Sequence, residues 1–247
     1  DELELWETDP HEFVRQSGDI ENEFVSPGTM ALNVLETLCR KRGKDALNRS
    51  LNFFTEMLNA YQLAPPEQRD YVQKDGTLYA IGALTETLQK SNKYSPNLEV
   101  MLVSHVLPDF RAPRGFLRAR AIWCLKRFAD INFQVEQNLI AFTQGVIDAL
   151  RDPDLPVQCE AAATMRFVVK AQEGAKATLR SVLPQVIQEY FRLMSELGSD
   201  DVVDGLDAIL EEFPEDIPPM AAQITQVLVS ALNSYMSAAE DDDEAEM

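Results

Sequence analysis

A polar break followed by an amphipathic helix recurs along this chain at nearly constant spacing, and that recurrence constrains the fold more than any other feature. Its clearest copy is residues 150–170, LRDPDLPVQCEAAATMRFVVK. Arg151, Asp152, Pro153 and Asp154 form a break that no helix continues through. Pro156 falls in the first turn of a new helix, where a missing N–H costs nothing. Val157, Ala161, Met165 and Val168 follow at steps of 4, 4 and 3, one apolar face of an α-helix. Ala161 is small between two large residues of that face, which lets a neighbouring helix approach closely.

A small residue followed four positions later by a large apolar one appears as Ala31/Leu35, Ala80/Leu84, Ala121/Leu125, Ala161/Met165 and Gly205/Ile209. The successive gaps are 49, 41, 40 and 44 residues. HEAT and armadillo units repeat at about 40–47 residues. The first gap is longer and contains LAPPE at 63–67, which reads as an extended loop. Ala-x-x-x-Leu is common in any helical protein, so the regular phase carries the argument. The expected fold is all-α: a right-handed α-solenoid of HEAT repeats, with about five helical hairpins plus flanking helices. A single hairpin cannot bury its apolar face alone, and stacking does so while leaving long ordered surfaces for partners.

Three regions follow. Residues 1–25 read as a partial N-terminal helical segment, 26–239 as the solenoid and 240–247 as an acidic tail or loop. Within the first, WETDPHEFVR at 6–15 is a short polar-aromatic piece, half of a hairpin. Helices are expected over 27–42, with Gly43 as a C-terminal cap, and over 44–63, 71–90, 96–110, 116–131, 135–150, 156–170, 175–197, 200–213 and 217–239. The chain starts at Asp1 and opens and closes in acidic text, which reads as a piece excised from a longer protein.

The 3 cysteines, Cys39, Cys124 and Cys159, lie in apolar helical patterns without C-x-x-C pairing. They read as buried thiols of a cytosolic or nuclear protein rather than a disulfide framework. No apolar run reaches the length of a membrane span, and the opening residues do not read as a signal peptide.

Several strings carry a family resemblance: LWETDPHEFVR at 5–15, RKRGK at 40–44, QKDGTLYAIGAL at 73–84, LRARAIW at 117–123 and LRDPDLPV at 150–157. As an ordered set they resemble the middle third of an importin-β-type nuclear transport receptor of the importin seven and eight branch. DPDLPVQCEAAATM also resembles the HEAT consensus break, although Gln158 stands where Arg is usual; one repeat earlier Arg118 keeps the Arg while Ala112 replaces the usual Asp. The resemblance implies a monomeric receptor shuttling between nucleus and cytoplasm. It would carry cargo inward, release it on Ran-GTP and touch Phe-Gly nucleoporins. Such receptors bind Ran mainly through N-terminal repeats, so the Ran contact is expected outside this fragment and no residue is assigned to it.

Charge points to the partner. The formal net charge is −19, and 15 Asp or Glu with no Lys or Arg lie between Leu193 and Met247. Asp200, Asp204, Asp207 and Glu211 fall at steps of 4, 3 and 4, one stripe of a helix. Val202, Leu206, Ile209 and Phe213 repeat those steps two residues on, about 200° around. The stripe faces away from the stack, and its like charges repel. A basic cargo, such as a ribosomal protein or histone, would relieve that repulsion and be steered toward it. Glu240, Asp241, Asp242, Asp243 and Glu244 in the tail are further cargo-binding candidates. A solvated face is the commoner meaning of any charge run.

Other clusters are weighed the same way. Arg40, Lys41, Arg42 and Lys44 mimic a localisation signal, but cations also favour a helix C-terminus. Arg111, Arg114, Arg118, Arg120, Lys126 and Arg127 form a local basic region, with Arg118 a candidate for a ladder bonding adjacent repeats. The total charge argues against direct nucleic-acid binding. Phe53, Phe54 and Phe142 sit on helices that could face nucleoporin repeats. His11 and His105 are far apart and lack metal-spaced partners, and Asp75-Gly76 beside Lys74 is too little for a nucleotide site. No phosphate-cradling loop, nucleophile elbow or zinc signature occurs. The chain is therefore not expected to be an enzyme, to need a cofactor or metal, or to contact a membrane. The alternative is a HEAT scaffold for a multiprotein complex unrelated to transport; cargo release by Ran-GTP in the whole protein separates the two.

Overall fold

The computed structural model describes residues 2–17, 27–41, 43–197, 199–222, 224–226 and 228–229. Among them there is no strand, and the helices stack as a HEAT-repeat α-solenoid. We number the helices α1 (Glu2–Thr8), α2 (Pro10–Ser17), α3 (Pro27–Lys41), α4 (Gly43–Leu63), α5 (Tyr71–Ala83), α6 (Thr85–Gln89) and α7 (Leu98–His105). Then come α8 (Gly115–Arg127), α9 (Glu136–Ala149), α10 (Leu155–Ala171), α11 (Glu173–Arg180), α12 (Leu183–Glu196) and α13 (Asp200–Glu212).

Two layers result. In what we call the B layer, α5 packs on α8, α8 on α10 and α10 on α13. Each B helix also packs on the A helix before it in the chain: α5 on α4, α8 on the 3-10 turn Leu107–Arg111, α10 on α9 and α13 on α12. The expected apolar face of α10 is the core of this stack, with Val157, Ala161, Met165 and Val168 all buried. Ala80, Ala121 and Gly205 are buried at the matching points of their repeats. At Gly205 smallness is obligatory, since a Cβ there would stand 2.7 Å from the carbonyl oxygen of Ala162 and 2.8 Å from the Tyr190 ring. The Tyr190 hydroxyl donates to that same carbonyl at 2.7 Å. The first expected anchor fails this test, because Ala31 on α3 is exposed.

Helix starts follow local chemistry. Asp70 caps α5 by accepting from the Gln73 N–H at 2.8 Å. Asp152 does not cap α10 directly; its carboxylate accepts from the Asp154 N–H at 2.9 Å and shapes the break. Three expected helices are interrupted. The 71–90 segment breaks at Leu84, dividing α5 from α6. The 96–110 segment is a 3-10 turn, then α7, then a second 3-10 turn, because Pro108 has no N–H with which to carry α7 on past His105. The 175–197 segment divides at Ser181 and Val182, because Pro184, in the first turn of α12, has no N–H to give the Arg180 carbonyl. Gly43 is not a cap but the first residue of α4.

The opening segment departs most from expectation. WETDPHEFVR is not half of a stacked hairpin but a small helical hairpin of its own, and α2 packs against α10, far along the chain. Trp6 reaches Gly115 at the start of α8, where an added Cβ would lie 3.1 Å from the indole. Trp6 and Phe13 meet edge to face at 4.9 Å between ring centroids.

Candidate functional site

The acidic stripe on α13 has the expected orientation. Asp200, Asp204, Asp207 and Glu211 are exposed, whereas Val202, Leu206, Ile209 and Phe213 are buried. It is not a bare row of carboxylates, however. Arg166 of α10 contacts Asp204 directly and lies 3.4 Å from Asp201. Lys170, one turn further along α10, sits 3.1 Å from Glu211. Nearby, Lys176 bridges Glu173 and Glu212 at 2.8 and 2.7 Å.

The repulsion expected along the stripe is therefore partly cancelled by the preceding repeat. Each such exposed pair contributes ~0–1 kcal/mol, so it remains open to competition. Asp200 and Asp207 have no ion pair among the described residues, and the uncompensated charge is theirs. The other acidic candidates, Glu240, Asp241, Asp242, Asp243 and Glu244, lie outside the described residues.

The basic region resolves into inter-repeat bonds. Arg118 on α8 donates twice to Asp152 in the break before α10, and also to the Ala112 carbonyl at 2.9 Å. Arg120 bonds Asp75 on α5 at 2.9 Å, and Lys126 bonds Glu160 on α10 at 2.6 Å. Arg127 donates to the Gly82 carbonyl at 3.3 Å. Four of the six basic residues thus hold repeats together instead of offering a cationic surface. Arg118 bonds adjacent repeats as anticipated. Where the usual Arg is replaced by Gln158, that amide accepts from Arg192 of α12 at 2.8 Å, so the link is rebuilt from the next A helix. Arg40 lies in the last turn of α3, 3.8 Å from Glu36, the position the helix-end reading gives it.

Of the three aromatic candidates, Phe54 and Phe142 belong to the core, at 8% and 0% exposure, and Phe53 alone is exposed. Phe142 is held there by edge contacts with Phe110 and Phe133. Cys39 and Cys124 are buried as expected, whereas Cys159 is only partly buried; burial pushes Cys124 and Cys159 up to about 12 and raises Cys39. Burial also lowers the pKa of His105.

One pair escaped the sequence reading. Lys74 Nζ on α5 lies 3.1 Å from Asp109 Oδ2 in the next repeat, with both side chains almost wholly buried. The ammonium also donates to the His105 carbonyl at 2.8 Å and stands 5.0 Å from the Tyr61 ring centre. Burial pulls the Lys74 pKa down and pushes that of Asp109 up, and the mutual attraction opposes both shifts. The only sequence signal was a Lys inside an apolar helix, with its partner 35 residues away. Among the described residues no group of three or more His, Cys, Asp or Glu could hold a metal ion, and no helix is long and apolar enough to cross a membrane.

No family model and no solved structure matches the chain. Curated relatives do match it over nearly its whole length. It is 36% identical over 242 residues to the Importin beta-like SAD2 homolog of Arabidopsis thaliana, covering 98% of this chain and 23% of that protein. It is 31% identical over 246 residues to the Probable importin-7 homolog of Dictyostelium discoideum, covering 99% of this chain and 23% of that protein. Importin-8 of Mus musculus is 31% identical over 238 residues, covering 96% of this chain and 23% of that protein. The chain thus spans about a quarter of the length of these relatives.

Proposed function

The chain belongs with the importin-β family, as a segment of its importin seven and eight branch, and from that premise we propose that it is a cargo-binding part of a nuclear import receptor. The cargo is a basic protein of the ribosomal-protein or histone kind, held by the acidic end of the B surface. Binding is released by Ran-GTP acting through parts of the receptor outside this segment, and the receptor shuttles between cytoplasm and nucleus. The observation that carries the cargo class is the stripe on α13, where Asp200 and Asp207 face solvent without a counter-ion among the described residues. Residues 240–244 add carboxylates to the same end of the sequence. A basic segment would pair first with Asp200 and Asp207 and then compete with Arg166 and Lys170 for Asp204 and Glu211. Phe-Gly repeats of nucleoporins meet the A layer, where Phe53 is the exposed ring.

Binding of a basic ribosomal protein or histone to the full chain, measured across a salt series, tests this reading. Affinity should fall with salt and should drop about tenfold or more when Asp200 and Asp207 both become Asn. Neutralising Asp204 and Glu211 should cost less, since their charge is already shared. Equal binding by all variants removes the stripe from the site. Loss only when residues 240–247 are deleted transfers the site to the tail.

A further inference from the structure

In a solenoid each repeat ordinarily touches only its neighbours, and curvature follows from the small rotation at each joint. The α1–α2 hairpin breaks that rule. Its α2 packs on α10, about 140 residues away along the chain, while the next helix, α3, packs on α4 and α5. Residues 18–26 join Ser17 of α2 to Pro27 of α3. The path from α2 through α3, α5, α8 and α10 back to α2 is therefore a closed ring, with one covalent link and packed faces for the rest. The ten Cα steps from Ser17 to Pro27 reach at most ~36 Å. Three interhelical steps from α3 to α10 already take up about 24–30 Å.

The contact that closes the ring is built at one junction. A Cβ on Gly115, the first residue of α8, would collide with the Asp154 carboxylate and stand 3.1 Å from the Trp6 indole. The start of α8, the break before α10 and the hairpin thus meet at a single glycine. Arg118, one turn further on, grips Asp152 and lies 3.3 Å from Asp154. Trp6 and Val14 pack against the core, and Trp6 is steadied by its edge contact with Phe13. The hairpin holds its own shape, since Asp9 accepts from the Glu12 N–H at 3.0 Å and Thr8 donates to the Glu4 carbonyl at 2.7 Å.

We propose that the α1–α2 hairpin is a strap that fixes the curvature of the B layer from α3 to α10. Bending at the α3–α5, α5–α8 or α8–α10 joint changes the distance the ring must close, and a large bend has to lift the hairpin off α8 and α10. The α10–α13 joint lies outside the ring. The strap thus divides the solenoid into a stiffened part and a freer end that carries the acidic stripe. This tie is independent of the cargo reading.

The test uses the full chain with and without Trp6→Ala and Val14→Asp, which release the strap. Spin labels at the exposed positions Asn33→Cys on α3 and Ala171→Cys on α10 report distances within the ring. A second pair, Ala171→Cys and Val203→Cys on α13, reports the joint outside it. Release should widen the first distance distribution at least about twofold and leave the second unchanged. A folded variant whose first distribution is unchanged overturns the proposal, and so does equal widening of both, which would be general loosening. If the variant does not fold, hydrogen exchange on the unmodified chain decides. Amides of α2 should be protected to within about tenfold of those in the first turns of α8 and α10. Exchange in α2 more than about a hundredfold faster, with α10 still protected, would show a hairpin too loosely held to act as a strap.

Discussion

Arg118 of α8 grips Asp152 in the following repeat at two points, Nε to Oδ2 at 2.7 Å and Nη2 to Oδ1 at 2.6 Å, with both side chains nearly buried. The same carboxylate accepts from the Asp154 N–H, so one residue both shapes the break before α10 and ties it to α8. Removing the guanidinium leaves a nearly buried carboxylate without its counter-charge. Arg118→Met should destabilise the chain by ~3 kcal/mol in urea unfolding. Arg118→Lys should recover only part of that, because an ammonium cannot make the forked bond.

Gly205 and Gly76 should respond to alanine with opposite signs. At Gly205 the new Cβ collides with the Ala162 carbonyl and the Tyr190 ring, which are held together by a hydrogen bond. Gly205→Ala should cost ~1–3 kcal/mol. Gly76 lies exposed within α5 and has nothing within 4 Å of an added Cβ. Gly76→Ala should stabilise by ~0.5–1 kcal/mol through the reduced entropy of the unfolded chain. Thermal melts of the two variants check both signs.

The buried Lys74–Asp109 pair predicts a pH effect that only a variant exposes. Lys74→Met strands Asp109 in the core and should cost ~3–5 kcal/mol at pH 7. Burial raises the Asp109 pKa above its ordinary value of 3.8, and without Lys74 nothing comparable opposes it. A raised carboxyl pKa means that the folded state holds its proton more tightly than the unfolded state. Stability is therefore lost as pH rises from the ordinary value through the raised one, and regained on acidification. The deficit of Lys74→Met relative to the unmodified chain should shrink as pH falls from 7 toward the ordinary carboxyl value in urea titrations.

Thiol titration reports the packing directly. Cys39 and Cys124 are buried, and burial pushes Cys124 and Cys159 up to about 12. At pH 8 the native chain should react slowly with a thiol reagent at all 3 cysteines, and rapidly once denatured. Rapid reaction at Cys124 in the native state would mean that α8 does not pack as described.

Phe53 and Phe54 are adjacent in sequence and opposite in consequence. Phe54→Ala removes a core ring and should cost ~3 kcal/mol, while Phe53→Ala should leave stability within ~0.5 kcal/mol. If Phe53 meets nucleoporin repeats, its loss should reduce retention on an immobilised Phe-Gly repeat peptide without lowering the melting temperature.

Much of the architecture was legible from periodicity. Helical spacing depends on a residue and its neighbours three and four positions away, so the faces of α10 and α13 could be read from a string of letters. The repeat phase and the small residues at Ala80, Ala121, Ala161 and Gly205 likewise follow from local spacing. The interruptions at Pro108 and Pro184 are equally local, but the apolar periodicity runs straight through them and masks them.

What tertiary structure alone decided is which charges meet. Arg166 finds Asp204 across 38 residues, Lys74 finds Asp109 across 35, and the hairpin around Trp6 finds Gly115 across more than 100. Composition and periodicity carry a helix's preference for one face, but not the register in which two distant faces are brought together. That register is set by how the B helices seat on one another, a collective result of packing. It turned a basic region into inter-repeat ties and, among the described residues, left Asp200 and Asp207 without an ion pair in the acidic stripe.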